Sequence, residues 1–439
     1  MTIYDDLRRN LSPMTIRSRK LFTALLTASL AFTAISSASA ADNTATPKET
    51  YRIVALGDSI SAGFEPLPEI VNQTAAPYGY VDRLYEQALF HGRSELSNYA
   101  ILGLTTPGLS RLLQGAKDNQ RLSSKDLQDF SSYDTRVARL ADAVADRTPE
   151  LAADLAKANL VVLTIGGNDF GSLIKDTQSK PIESARQIIQ DSFDKTMNKY
   201  TEDLDKMMTV LHELAPNAQV VLADQYLPLW KKHELYEPLK DAVNKLADGL
   251  DSIADKLNQR GISLRIAHVS DKFFDNEGPY TYFNVFDGLD THPKQAGYEA
   301  IAQTFADVIW KQYLKPAPRA ADVPLSVVIN GKELPGKPVT VDNTTFLALR
   351  DVADAVHANL KWMQKTKTAV FSKDGRKVVI TIGAKSVIVN GVAQPLNTPA
   401  YFQQAGKIQK TYVPLAVISE GLDYQVVFRK KLMTAFINF

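Results

Sequence analysis

Between Tyr51 and about Leu314, short apolar runs rich in β-branched residues alternate with longer stretches whose apolar residues recur at helical spacing. That alternation restricts the region to a parallel sheet covered by helices, because strands of period two joined through amphipathic helices bury both faces of the sheet they build. The spacing predicts strands at Tyr51 to Leu56, Leu96 to Ala100, Leu160 to Ile165, Gln219 to Ala223 and Ser263 to His268. Helices are predicted over Glu150 to Ala158, Tyr200 to Leu214, Leu235 to Gln259 and Gln295 to Tyr313. The expected architecture is α/β: a five-stranded parallel sheet with helices on both faces, in three layers. The polar stretch from Gln114 to Asp146 fits none of these elements and is expected to be a helical insertion or a flap.

The chain continues past this region with a different texture. Residues 315–323 carry alternating prolines and suit an extended linker. Beyond them, Asn330-Gly331 and Asn390-Gly391 each follow a Val/Ile run, as type I′ hairpin turns do. An imperfect repeat of about sixty-five residues runs through this second unit, 324–439. In one copy Thr345-Phe-Leu-Ala-Leu349 leads to Trp362 and Thr368-Ala-Val-Phe371; in the other Thr411-Tyr-Val-Pro-Leu415 leads to Tyr424 and Thr434-Ala-Phe-Ile437. A smaller, β-rich α+β unit is expected, two β-rich halves with a short helix each.

At the other end, Arg17, Arg19 and Lys20 precede an apolar run from Leu21 to Ile35, and Ala38-Ser39-Ala40 offers small residues for cleavage. Residues 1–40 therefore read as a signal region, with Met14 as an alternative start to Met1. Export to the outside or the cell surface is the expectation. The run is short and broken by Thr and Ser, so no permanent membrane span is expected. A net charge of +1 gives no electrostatic reason for nucleic acid as a partner, and the absence of cysteine removes disulfides, thiolate metal sites and thiol nucleophiles.

Four short segments hold residues that acyl transfer requires. Gly57-Asp58-Ser59-Ile60-Ser61 follows the first strand, where an open α/β sheet offers its ligand crevice. Asn98-Tyr-Ala-Ile-Leu-Gly103 ends the second, and its glycine permits close backbone approach. Ile165-Gly166-Gly167-Asn168-Asp169 ends the third and offers an amide donor to a developing oxyanion. Asp287-Gly-Leu-Asp290-Thr-His292-Pro293 precedes the closing helix. Any one of these is ordinary turn chemistry. Of the six histidines, only His292 combines a nearby acid, a proline and a loop, and a serine nucleophile needs such a base.

Together and in this order the segments resemble the block pattern of the SGNH (GDSL-like) hydrolases, over roughly Tyr51 to Leu314. The resemblance implies a secreted serine carboxylic-ester hydrolase of esterase or lipase type. It implies Ser59 as nucleophile, His292 as base, Asp290 as acid with Asp287 as its substitute, and an oxyanion hole from Ser59, Gly103 and Asn168. Asp58 and Asp169 are read as loop-stabilising. No cofactor and no metal are implied, since fixed dipoles meet the developing charge. Deacetylation or O-acetyl transfer on wall glycans, or surface binding without catalysis, are the alternative readings. The second unit resembles the copper amine oxidase N-terminal-like domain through Val328-Ile-Asn-Gly-Lys332, Phe346-Leu-Ala-Leu-Arg350, Trp362 and Tyr412-Val-Pro-Leu415. Its single histidine, His357, cannot build a three-histidine copper site. By architecture alone it is expected to hold the enzyme to a cell wall or polysaccharide, with Trp362, Tyr401 and Tyr412 better explained as core.

Overall fold

The computed structural model describes residues 49–439 except 172, 174–176, 178–179, 284–289, 335 and 406–407. The signal region and Asp287 lie outside the described residues. In the first unit, strands β1 (Tyr51–Gly57), β2 (Ser94–Asn98), β3 (Leu160–Thr164), β4 (Gln219–Ala223) and β5 (Leu264–Ala267) form one sheet in the order β2-β1-β3-β4-β5. Every neighbouring pair is parallel. Successive residues of β1 feed opposite faces: Ile53 and Ala55 join one apolar core, Val54 and Leu56 the other. This two-sided burial is why β3 is buried at all five positions and apolar at the first four.

Helices α1 (Tyr80–His91), α2 (Thr106–Lys117), α3 (Ser124–Leu127), α4 (Thr135–Ala145), α5 (Thr148–Leu155), α6 (Ile182–Leu214), α7 (Tyr236–Gln259) and α8 (Gln295–Ile309) cover the sheet. Residues of α1 and α8 pack on one face, and those of α2, α4, α5, α6 and α7 on the other. The stretch from Gln114 to Asp146 thus contains the end of α2 and the helices α3 and α4, a helical insertion. Among the described residues no helix is long and apolar enough to cross a membrane.

The second unit is made of hairpins. One copy of the repeat supplies β6 (Ser326–Ile329), β7 (Lys332–Glu333), β8 (Val339–Val341), β9 (Thr344–Ala348), α9 (Leu349–Ala355), β10 (Asn359–Met363) and β11 (Thr368–Lys373). After β12 (Arg376–Thr381) the other supplies β13 (Ser386–Val389), β14 (Val392–Pro395), β15 (Tyr401–Ala405), β16 (Ile408–Pro414), α10 (Leu415–Gly421), β17 (Gln425–Arg429) and β18 (Thr434–Asn438). Asn330, Gly331, Asn390 and Gly391 all have φ between 47° and 86°, as the type I′ turn requires. Each copy is β-rich with one short helix, as expected from the sequence, but the copies are not separate in space. They interleave: the sheets run β15-β16-β9-β8, β17-β18-β6-β7 and β10-β11-β12-β13-β14, each joining strands of both copies. Where β16 meets β9, Tyr412 pairs with Ala348, Val413 with Leu347 and Pro414 with Phe346, so equivalent repeat positions face each other about a local dyad.

The two units also touch directly. Phe436 and Val328 pack with Tyr85, Leu89 and Phe90 of α1 in one apolar cluster. The Gln425 amide both accepts from the Ser94 N–H and donates to its carbonyl, at 3.0 and 2.8 Å, closing the exposed start of edge strand β2. Asn438 donates to the carbonyls of Leu89 and Gly92 at the end of α1, which lack intrahelical partners. Arg429 completes the seam, its guanidinium 3.0 Å from Glu86 and 3.1 Å from Asp82. A cavity of about 360 Å³ remains at this junction, lined by Tyr78, Tyr313 and Lys431 among others, and it does not include Ser59.

Glu86 is only 3 % exposed, and burial raises its carboxyl above the usual range despite Arg429. Arg429→Ala leaves this carboxylate buried without its cation, and a loss of about 3 kcal/mol is expected at neutral pH. A carboxyl with a raised folded-state pKa binds its proton more tightly folded than unfolded, so the penalty grows with rising pH and fades in acid. Thermal unfolding at pH 5 and pH 8 checks this. An equal midpoint for variant and wild type at both would show that the apolar seam alone holds the units.

Candidate active site

The sheet order reverses between β1 and β3, so the loops after β1, β2 and β3 converge at the crevice where open α/β sheets bind ligands. Ser59 follows β1 across Gly57, whose φ is +111°. A Cβ at Gly57 would fall 2.0 Å from the carbonyl oxygen of Thr164, so only glycine lets β1 and β3 close at this point. Below Ser59 a buried hydroxyl chain fixes the turn. The Thr164 hydroxyl donates to Asp58 at 2.7 Å; Ser61 lies 2.8 Å from Thr164, and Tyr80 lies 2.8 Å from Ser61. Each hydroxyl has one proton, so the donors run from Tyr80 through Ser61 and Thr164 to the carboxylate. Burial pushes Asp58 up to about 6 against these hydrogen bonds. Asp58 holds the loop and makes no hydrogen bond to Ser59 or His292 among the described residues.

His292 reaches the same point from the loop before α8. Its Nε2 is 2.8 Å from the Ser59 Oγ, and its Nδ1 is 2.8 Å from Asp290 Oδ1. The same carboxylate oxygen accepts the His292 main-chain N–H at 2.9 Å, so Asp290 fixes both ring and backbone. Burial opposes ionisation of Asp290, yet the hydrogen bonds and charge of His292 outweigh it and hold the carboxyl below its ordinary range. The Phe64 ring meets the imidazole edge-on at 4.8 Å between centroids. Tyr226 and Tyr282 brace the loop, each donating to a main-chain carbonyl: the Tyr226 hydroxyl to that of Thr291 and the Tyr282 N–H to that of His292.

On the other side lie Gly103 and Asn168. Asp169 accepts from the N–H and hydroxyl of Thr106 at 3.0 and 3.1 Å, tying the loop after β3 to the start of α2. The Asn168 amide then donates to the Leu104 carbonyl at 3.0 Å, which leaves its second hydrogen for another acceptor. Among the described residues no acceptor pairs with the main-chain N–H of Ser59 or Gly103. A serine hydroxyl, an imidazole held by a carboxylate and, in the neighbouring loops, N–H groups without an acceptor among the described residues make up the site. That is the equipment for attack on a carbonyl and for holding the oxyanion that follows.

Other sequence candidates stand apart. His268 is engaged by Asp224 at 3.2 Å and Asp251 at 3.3 Å, and the hydrogen bond it donates to Asp224 is the main reason it is pushed up to about 9. His91 stacks on Trp310. Among the described residues no group of three or more His, Asp or Glu side chains could hold a metal. In the second unit, Tyr401 and Tyr412 are half-buried and stack across β15 and β16, 5.7 Å apart, and Trp362 is half-buried beside Phe402.

The chain belongs to the GDSL-like lipase/acylhydrolase family, whose model matches residues 55–300. The copper amine oxidase N-terminal domain matches residues 328–437. Solved structures similar to the chain include a lipase from a goat rumen metagenome, at 18 % identity and a TM-score of 0.37, covering 58 % of this chain and 96 % of that one. A phospholipase A1 from Streptomyces albidoflavus matches at 19 % and 0.38, covering 57 % and 96 %. An extracellular lipase from Streptomyces rimosus matches at 18 % and 0.39, with the same coverage. No match was found among curated proteins.

Proposed function

We propose that the first unit is a serine-dependent carboxylic-ester hydrolase. The observation that carries this reading is the unbroken Ser59–His292–Asp290 relay, with both contacts at 2.8 Å. His292 takes the Ser59 proton as the oxygen attacks the ester carbonyl, and the negative charge moves to the carbonyl oxygen. The N–H groups of Ser59 and Gly103 and the Asn168 amide meet that charge. On collapse the alcohol leaves with the proton from His292, and an acyl-serine remains. Water, deprotonated by the same imidazole, releases the acid and restores Ser59. Asp290 holds the ring in the tautomer with hydrogen on Nδ1 and steadies the imidazolium in both halves.

Export through residues 1–40 is part of the proposal, as is anchoring by the second unit to wall polymers. A direct check is titration with diethyl p-nitrophenyl phosphate. One equivalent of p-nitrophenolate per chain is expected, with the phosphoryl group on the peptide containing Ser59. Release without modification of that peptide, or no release at all, would remove the nucleophile from this reading.

A further inference from the structure

The helical insertion returns to the oxyanion side of the site through two side chains. Gln128 donates to the Gly103 carbonyl at 2.9 Å, while its own carbonyl accepts from the Thr105 N–H and hydroxyl, each at 2.9 Å. The Tyr133 hydroxyl donates to the same Gly103 carbonyl at 3.4 Å. Gly103 has a φ of +76° and so favours glycine on backbone grounds. Contact makes the same demand. A Cβ there would fall 2.6 to 2.9 Å from Cε1, Cζ and the hydroxyl oxygen of Tyr133, so the ring lies directly against the Gly103 backbone. Tyr133 rests on buried Phe130, with 5.8 Å between ring centroids, yet stays 38 % exposed.

An ester whose carbonyl oxygen accepts from the Gly103 N–H, at about 2.9 Å, must bring its acyl carbon within a few ångströms of Gly103 and hence of this ring. We infer that Tyr133 is the specificity-determining residue on the acyl side. Its ring walls the space beside the oxyanion hole and limits the acyl group to short chains, so the substrate class is short-chain acyl esters, acetyl to butyryl. The inference rests on the ester-hydrolase reading above. Gln128 carries the hold on the Gly103 carbonyl, and removal of the Tyr133 ring leaves that bond in place.

The test is kcat/KM of the full mature chain on p-nitrophenyl acetate, butyrate and octanoate for wild type, Tyr133→Ala and Tyr133→Phe, beside Ser59→Ala. The wild type is expected to favour acetate and butyrate. Tyr133→Ala is expected to raise the octanoate-to-acetate ratio at least about tenfold, the scale on which apolar pockets discriminate chain length. Tyr133→Phe keeps the ring and is expected to keep the wild-type ratio. An active Tyr133→Ala enzyme with an unchanged ratio overturns the inference alone, as does Tyr133→Phe behaving like Tyr133→Ala. Absence of any Ser59-dependent turnover by the wild type overturns the ester reading and this inference with it.

Discussion

Ser59→Ala is expected to lower kcat on p-nitrophenyl esters by between about a thousandfold and a millionfold while leaving the thermal unfolding midpoint unchanged. The size follows from the chemistry: without the hydroxyl no acyl-enzyme forms, and what remains is the binding and oxyanion contribution to direct attack by water. Stability is spared because among the described residues the half-buried Ser59 side chain bonds to His292 alone, while the loop is held by Asp58, Ser61, Thr164 and Tyr80. His292→Ala should cost about as much, and the double variant little more than either single one, because nucleophile and base act as a unit. Losses that multiplied in the double variant would mean that two independent mechanisms contribute, and would contradict the relay.

Asp290→Asn is expected to lower kcat by about ten-thousandfold with KM nearly constant. The amide oxygen can keep the loop and both hydrogen bonds to His292, but the amide carries no charge and no longer stabilises the imidazolium that forms when Ser59 gives up its proton. Steady-state kinetics of Asp290→Asn beside Asp287→Asn separate the two acids that the sequence leaves open. A large loss in Asp287→Asn with little change in Asp290→Asn would move the role to Asp287. The observed Asp290 contacts to both the ring and the backbone of His292 lead to the opposite expectation.

Much of the first unit was legible because its strands are buried on both faces. β3 and β4 each hold a run of four apolar residues, β5 is interrupted by Arg265, and all three fall within a residue of the predicted bounds. β2 starts two residues earlier than predicted, since an edge strand reading Ser-Glu-Leu-Ser-Asn carries little apolar signal. α1 and α2 were not read at all, although Val81, Leu84, Ala88 and Leu89 of α1, and Leu109, Leu112, Leu113 and Ala116 of α2, recur at helical spacing and are buried. In α6 the half from Ile182 was missed because its apolar residues are spread among charged ones.

The site divides in the same way. Ser59, Gly103, Asn168, Asp290 and His292 were picked from short segments with recognisable turn chemistry; the fold joins Ser59, His292 and Asp290 by hydrogen bonds and ties Asn168 to Leu104, the neighbour of Gly103. Of their supports, Asp58 and Asp169 were legible as loop-stabilising residues and the rest were not. Ser61 and Thr164 are 103 residues apart, and Tyr133 reaches Gly103 from 30 residues away across an insertion with no motif. No local pattern encodes such contacts; they exist only once the loops after β1, β2 and β3 meet. The clamp of Arg429 on Asp82 and Glu86, more than 340 residues away, was illegible for the same reason.

The dyad between β9 and β16 bears on where the second unit came from. One copy of the repeat owns half of the β15-β16-β9-β8 sheet and none of the three sheets entire. A polypeptide ending after β11 would present bare strand edges, and a second identical molecule could cover them by the same Phe346-to-Ala348 pairing that now occurs within one chain. The present unit therefore has the topology of a hairpin-exchanged homodimer whose two subunits were later joined, with β12 at the splice. On that ancestry, fusion turned a concentration-dependent assembly into an intramolecular one, so that the unit folds at any dilution.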